Sequence, residues 1–276
     1  MTFTYSRRYR GRLKAVVLDW AGTTMDFGCM APAVVFMKVY EKAGVPVSIA
    51  EARQPMGAHK KVHIQKISEI PTVRERWVAR HGREPNAGDV DRMFADFVPM
   101  QEACLSDYST LIPGTLEVVA ECRRRGMKIG STSGYLPGML AINQADAKKQ
   151  GYDPDYTCGA GDVPAGRPYP YMVLRNMIEM QISPVESLVK VDDTLTGIEE
   201  GINAGSWSIG LAISGNEVGV PLAEWQAMPE KVKQAHRDRI YPTMYQRGAH
   251  YVVDSIADLL PCLDDIEARL ARGEKP

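Results

Sequence analysis

Six short apolar runs, spaced along the chain and separated by helical patterns, limit what these 276 residues can fold into. They are "LKAVVLDW", "MKIGSTS" from Met127, "YTCG" at Tyr156, "SLVKVDD" from Ser187, "WSIGLAIS" from Trp207 and "HYVVD" from His250. Beside them lie the helix-period segments "GTLEVVAECRRRGM", "YPYMVLRNMIEM", "TGIEEGINAG", "MPEKVKQAHRDRIYPTMYQRG" and "SIADLLPCLDDIEARLA". Gly126 is a suitable stop for the first of these. Strands alternating with helices join in parallel through crossovers. Near-continuous apolar strands imply a sheet covered on both faces. The expected fold is α/β, a doubly wound, mostly parallel sheet.

Residues 28–105 break the alternation. They carry helical patterns with no persuasive strand: "PAVVFMKVYEKAG", "SIAEARQPMG", "HKKVHIQKISEI", "TVRERWVARHG" and "DVDRMFADFVPMQEACL". Pro71, Pro85 and Gly88 punctuate them. A helical block between the first two strands reads as an insertion. We therefore expect an α/β core over 1–27 and 106–276 and a helical cap domain over 28–105. Amphipathic "PAVVFMKVYEKAG" could pack within the cap or form a subunit contact.

A chain with 45% apolar and 24% charged residues is an ordinary soluble globular protein. A formal net charge of -1 offers no basic field for nucleic acid or an anionic membrane. The basic stretch "YSRRYRGR" reads as a solvated leader. No 18-residue apolar run is present, and no apolar segment with a cleavage site opens the chain. Cys29, Cys104, Cys122, Cys158 and Cys262 are odd in number and form no CxxC pair, so neither a disulfide framework nor a zinc site is expected. The default compartment is the reducing cytoplasm.

Chemistry-bearing residues collect at the ends of the expected strands. Asp19 ends the first, where open α/β sheets bind ligands. The Gly22-Thr23-Thr24 turn after it could bring backbone amides to an anion, or Asp19 could simply cap a turn. Ser133 and Gly134 end the second strand, where a hydroxyl and an amide could hold phosphate oxygens. Arg167 precedes a helix that Pro168 could open. Asp192 and Asp193 end "LVKV"; adjacent acids repel unless a cation lies beside them, and hard oxygen ligands suit Mg²⁺. Asp193 could instead, or in addition, cap the following helix.

Acid, hydroxyl, cation and acid pair, in that order, resemble the haloacid dehalogenase superfamily over essentially the whole chain. The resemblance implies a Rossmann-like core with Asp19 as nucleophile and metal ligand. It implies Ser133, Gly134 and Arg167 as phosphate-binding groups, and Mg²⁺ held by Asp193 and the backbone carbonyl of Ala21. The stretches "LDWAGTTMDFG", "EARQPMGAHKKVH", "GSTSGY" and "DVPAGRPYP" more closely resemble the phosphonoacetaldehyde hydrolase (phosphonatase) family. That likeness implies hydrolysis of the C–P bond of phosphonoacetaldehyde to acetaldehyde and phosphate, within 2-aminoethylphosphonate degradation. It also implies a Schiff base on Lys60, Met56 beside it, a small-molecule phosphonate as partner and a homodimer.

Phosphatases of the superfamily carry a second Asp two residues after the nucleophile, to protonate a leaving alkoxide. Here that position is Ala21. C–P cleavage through a protonated imine releases an enamine, which needs no acid at that place. On a helix Lys60 shares a face with Met56, His63, Ile64 and Ile67, while Lys61 points about 100° away. Burial and the charge of Lys61 should both lower the Lys60 pKa. His63, one turn on, could shuttle protons or simply pack. Many relatives place an acid four residues after the magnesium Asp; here Gly197 stands there, and Asp192 could substitute. The other readings are a Mg²⁺-dependent phosphomonoesterase or phosphomutase of the same superfamily, and a non-catalytic protein on this fold.

Overall fold

The computed structural model describes residues 8–56 and 58–276. Tyr5 to Arg7 of the basic stretch, and Gly57 of "PMG", lie outside them. Six strands form one parallel sheet: β1 (Ala15–Asp19), β2 (Lys128–Ser133), β3 (Tyr156–Gly159), β4 (Leu188–Asp192), β5 (Trp207–Leu211) and β6 (Tyr251–Val253). Their order is β3-β2-β1-β4-β5-β6. β1 pairs with β2 on one side and β4 on the other, so the chain reverses direction across the sheet at β1. Ligands bind at such switch points, outside the carboxyl ends of the strands.

Side-chain alternation explains why both faces are covered. Val16 and Leu18 join a core with Val118 and Cys122 of α6 (Thr115–Arg124) and Leu263 and Ile266 of α12 (Leu259–Ala271). Ala15 and Val17 face the other way, onto Val173 of α8 (Tyr171–Glu179). α9 (Leu195–Ala204) and α11 (Glu230–Gln246) supply Ile198, Ile240 and Met244 to a further cluster.

Between β1 and α6 the chain carries five further helices: α1 (Met30–Lys42), α2 (Ile49–Arg53), α3 (Lys60–Glu69), α4 (Pro71–His81) and α5 (Ala87–Cys104). Ser48 and Asn86 open α2 and α5 with capping boxes, and Pro71 occupies the first turn of α4. Phe36, Ile64, Ile67, Trp77 and Phe97 pack at their centre. α1 spends its apolar face on α2 and α5 within this insert, the first of its two sequence readings.

Several expectations shift. α7 (Pro137–Lys149) and α10 (Leu222–Ala227) were not legible as helices. The buried stripe of α7 has Asn143 in its middle, while Ala141 and Ala145 face water, so no apolar period stands out. α8 begins at Tyr171, three residues past Pro168. Thr194, not Asp193, caps α9, by accepting from the Gly197 amide. All five cysteines are free thiols. Among the described residues, no helix is long and apolar enough to cross a membrane.

Candidate active site

Parallel pairing sets the site. Asp19 stands beside Thr132 of β2, and Leu18 beside Val191 of β4, so the carboxyl ends of three strands meet. Gly22 turns the chain sharply at φ 86°, and a side chain there would strike the Asp193 carboxylate. The turn does not present free amides: Thr23, Thr24 and Met25 all donate to the Trp20 carbonyl, and Gly22 donates to Met25. Its glycine is needed for close approach, not for anion binding.

A buried charge network lies beneath. Arg167 Nη2 reaches Asp19 Oδ1 at 2.5 Å and Asp192 Oδ2 at 3.1 Å, and its Nε donates to Glu200 Oε2 at 3.1 Å. Lys190 Nζ donates to Asp192 Oδ2 at 2.7 Å and Thr132 Oγ1 at 2.8 Å. Asp192 Oδ1 accepts from the Thr194 amide at 2.9 Å and its hydroxyl at 2.7 Å. Burial would raise the Asp192 pKa, but Arg167 and Lys190 overcome it and hold the group below its usual value. Asp193 forms no ion pair among the described residues; burial, then Asp192 and Asp19, push it well above the carboxylate range, against the weaker pull of the Asn216 amide and Arg167. Burial also raises Asp19, against the pull of Arg167.

This arrangement fits a divalent cation. Oxygens of Asp19, Asp192 and Asp193 lie within 4.8 Å of one another, all three side chains buried. Counting Glu200, the buried acids outnumber the buried cations Arg167, Lys190 and Lys60. An all-oxygen, negatively charged cluster of this kind suits Mg²⁺. Asp19, Asp193 and the Ala21 carbonyl are the groups that would hold it, and Asp192 supports them. Gly197 has a physical reason here: the Asp192 carboxylate fills the space that any side chain at 197 would occupy.

The insert closes the site from above. Asp19, Ala21, Met56, Lys60, Ser133, Gly134 and Arg167 line one cavity, with Cys29, Tyr135 and Thr194. Its free space is about 20 Å³, room for about one water. Lys60 is buried, its Nζ 4.7 Å from the centre of the Tyr135 ring and 5.8 Å from that of Phe36. Burial lowers its pKa to about 8; Cys29 and Asp19 oppose that shift and Arg167 adds to it. Lys61 points to solvent and pairs with Asp91 at 2.5 Å. The cation that lowers the Lys60 pKa is thus Arg167, and not Lys61 as expected from the sequence.

Two expected neighbours are differently placed. Met56 lines the cavity from the turn before α3, because the helix begins only at Lys60. His63 does not line the cavity. Its ring stacks on Phe36 with centroids 3.8 Å apart, and Nε2 donates to the Ala52 carbonyl at 2.7 Å. Burial, reinforced by Lys60, lowers its pKa to about 3, so it is neutral at ordinary pH. Sequence reading missed Thr132, Lys190 and Glu200. The one signal was a lysine inside the apolar strand "LVKVD".

Residues 13–205 match the family described as haloacid dehalogenase-like hydrolase. The whole chain is 42% identical to a phosphonoacetaldehyde hydrolase of Hahella chejuensis, over 94% of that relative. It is 45% identical to one from Klebsiella pneumoniae, over 96% of this chain and 99% of the relative. The crystal structure of a phosphonoacetaldehyde hydrolase like protein from Oleispira antarctica superposes with a TM-score of 0.97 at 42% identity, covering both chains fully. A β-phosphoglucomutase from Clostridium difficile shares the fold alone, with a TM-score of 0.65 at 16% identity, over 93% of this chain and 98% of that one. The chain is an enzyme belonging to the phosphonoacetaldehyde hydrolase family of the haloacid dehalogenase-like hydrolases.

Proposed function

We propose that the enzyme hydrolyses phosphonoacetaldehyde to acetaldehyde and phosphate, by way of an imine on Lys60 and a phosphoryl group on Asp19. One observation carries this reading: the Lys60 amine and the Asp19 carboxylate, from the insert and the core, line the same cavity. The neutral amine of Lys60 adds to the aldehyde and water leaves, giving an imine. Asp19 attacks phosphorus while Arg167, the Ser133 hydroxyl and the Gly134 amide hold its oxygens. The P–C bond breaks, and its electron pair moves into the protonated imine to give an enamine. Carbon is then protonated, water releases acetaldehyde from Lys60, and a second water cleaves the aspartyl phosphate. Bound Mg²⁺ would neutralise charge on the transferring group. His63 is neutral and enclosed, so we assign it to supporting the Lys60 helix, leaving the proton transfers to solvent. Action as a cytoplasmic homodimer in 2-aminoethylphosphonate degradation belongs to the same reading.

Ala21 favours this route over a phosphomonoesterase or phosphomutase, because no acid stands where a leaving alkoxide would be protonated. The test is borohydride reduction with phosphonoacetaldehyde present, followed by peptide mass mapping. A reduced two-carbon adduct on Lys60 is expected. Turnover without an adduct, or an adduct on Lys61, would overturn the imine route. Asp19→Ala should abolish phosphate release.

A further inference from the structure

Arg53, the last residue of α2, carries a buried guanidinium with no carboxylate within salt-bridge distance among the described residues. A buried charge without a counter-ion is costly unless its hydrogens are well used. Here they are. Nη1 donates to the Gly28 carbonyl at 2.8 Å, to the Cys29 carbonyl at 3.3 Å and to Asn216 Oδ1 at 3.3 Å. Nη2 reaches the Gly219 carbonyl and Met30 Sδ, each at 3.1 Å. Gly28–Met30 is where the chain leaves the core for the insert; Asn216 and Gly219 belong to the core loop after β5.

That loop makes three connections. The Asn216 amide donates to Asp193 Oδ2 at 2.7 Å. The Ser214 carbonyl accepts from the Gly28 amide at 2.7 Å. Gly219, at φ 69°, lies so close under Arg53 that a Cβ there would stand 2.7 Å from the guanidinium. Gly28, at φ 87°, packs onto the Val220 carbonyl in the same way. The guanidinium thus spans the segment Gly28–Met30, where the chain enters the insert, and the loop that holds Asp193.

We propose that Arg53 is a positioning residue that latches the insert to segment 214–220, tying closure over the cavity to the placement of Asp193. This rests on the reading that Lys60 and Asp19 must meet over one substrate. The free space of about 20 Å³ is too small for that substrate, so the insert has to move away and return. A latch made of one side chain and four backbone or amide oxygens can break and re-form without disturbing the sheet. Closure then presents Lys60 and orders the Asp193 loop in the same movement.

The test uses the full chain and two single variants, Arg53→Lys and Asn216→Ala, with their double. Lysine keeps the charge but cannot span both sets of acceptors. Hydrogen exchange is followed by mass spectrometry in residues 26–31 and 214–219, with 128–133 as the internal reference. In Arg53→Lys, exchange should quicken about tenfold in both segments and stay unchanged in the reference, the scale of one lost charged hydrogen bond. KM for phosphonoacetaldehyde should rise by a similar factor, about tenfold, with kcat changing less, because closure over the substrate after it enters adds to its affinity. Asn216→Ala should act in the same direction, and the double variant should be no worse than Arg53→Lys alone. Faster exchange in the reference as well, in one segment only, or in neither would overturn the latch, as would additive losses. Exchange needs no turnover, so a wild-type chain inactive on phosphonoacetaldehyde would sink the proposed chemistry and still leave the latch decided.

Discussion

Adjacent residues of one type can have opposite fates, and Lys60 and Lys61 show how. A helical turn places one against Tyr135 and Phe36 and the other beside Asp91 in water. Only the first has its pKa lowered, to about 8, with burial as the main cause. Imine formation should therefore rise with pH and level off above about 8, which pre-steady-state trapping across pH 6–10 would show. The sign for stability follows from the same shift. Because the folded pKa lies below the unfolded 10.5, the contribution of Lys60 is fullest above 10.5 and is lost as pH falls through about 8. Lys60→Met should thus stabilise the chain below pH 8, by roughly 3 kcal/mol at most, in urea melts. His63 gives a contrasting test. Its pKa near 3 means that His63→Gln should leave the activity profile between pH 5 and 9 unmoved in shape; loss of a limb near 6.5 would show that it does carry protons. Lys60 was singled out by the family resemblance, and a helical face, which can be read locally, separated it from Lys61. Lys190 and Glu200 were not legible, since their partners Thr132 and Arg167 come from distant segments.

At the scale of elements, strands announced themselves and their ends announced the site. A doubly covered sheet forces continuous apolar runs, so an acid closing such a run stands out, as Asp19 and Asp192 do. α7 stayed hidden because a buried Asn143, and not an apolar residue, occupies its inner face. The junction of β4 and α9 carries a more specific dependence. The Asp192 carboxylate occupies the space beside Gly197, so an acid can stand at one of these positions but not both. Gly197→Asp alone should displace Asp192, loosen Arg167 and Lys190, and lower kcat/KM by on the order of a hundredfold or more, as removal of a buried charge partner does. Asp192→Gly combined with Gly197→Asp should recover part of that loss. If the double variant is no better than Gly197→Asp, the two positions are not exchangeable hosts for the same negative charge.

The whole molecule is organised around an imbalance that the fold itself creates. Two adjacent parallel strands deliver Asp19, Asp192 and Asp193 to one buried point, and Glu200 adds a fourth carboxylate against the cations Arg167, Lys190 and Lys60. Packing of the two layers and the insert holds those acids together; it does not neutralise them. A cation that binds this point in the folded chain, and finds no such point in the unfolded chain, must stabilise the fold by mass action. At a Mg²⁺ concentration a hundred times its dissociation constant the gain is about 2.7 kcal/mol. For a chain of this size that raises the melting temperature by on the order of 5 °C relative to EDTA. Calorimetry on the wild type and on Asp193→Asn should separate the causes. The wild type should melt higher with Mg²⁺, whereas Asp193→Asn should melt at nearly the same temperature with Mg²⁺ or EDTA. In EDTA the variant should be at least as stable as the wild type, because the amide removes an acid that its neighbours Asp192 and Asp19 repel. An equal Mg²⁺ shift in both proteins would place the ion elsewhere on the molecule and leave the acid cluster without the partner its charge calls for.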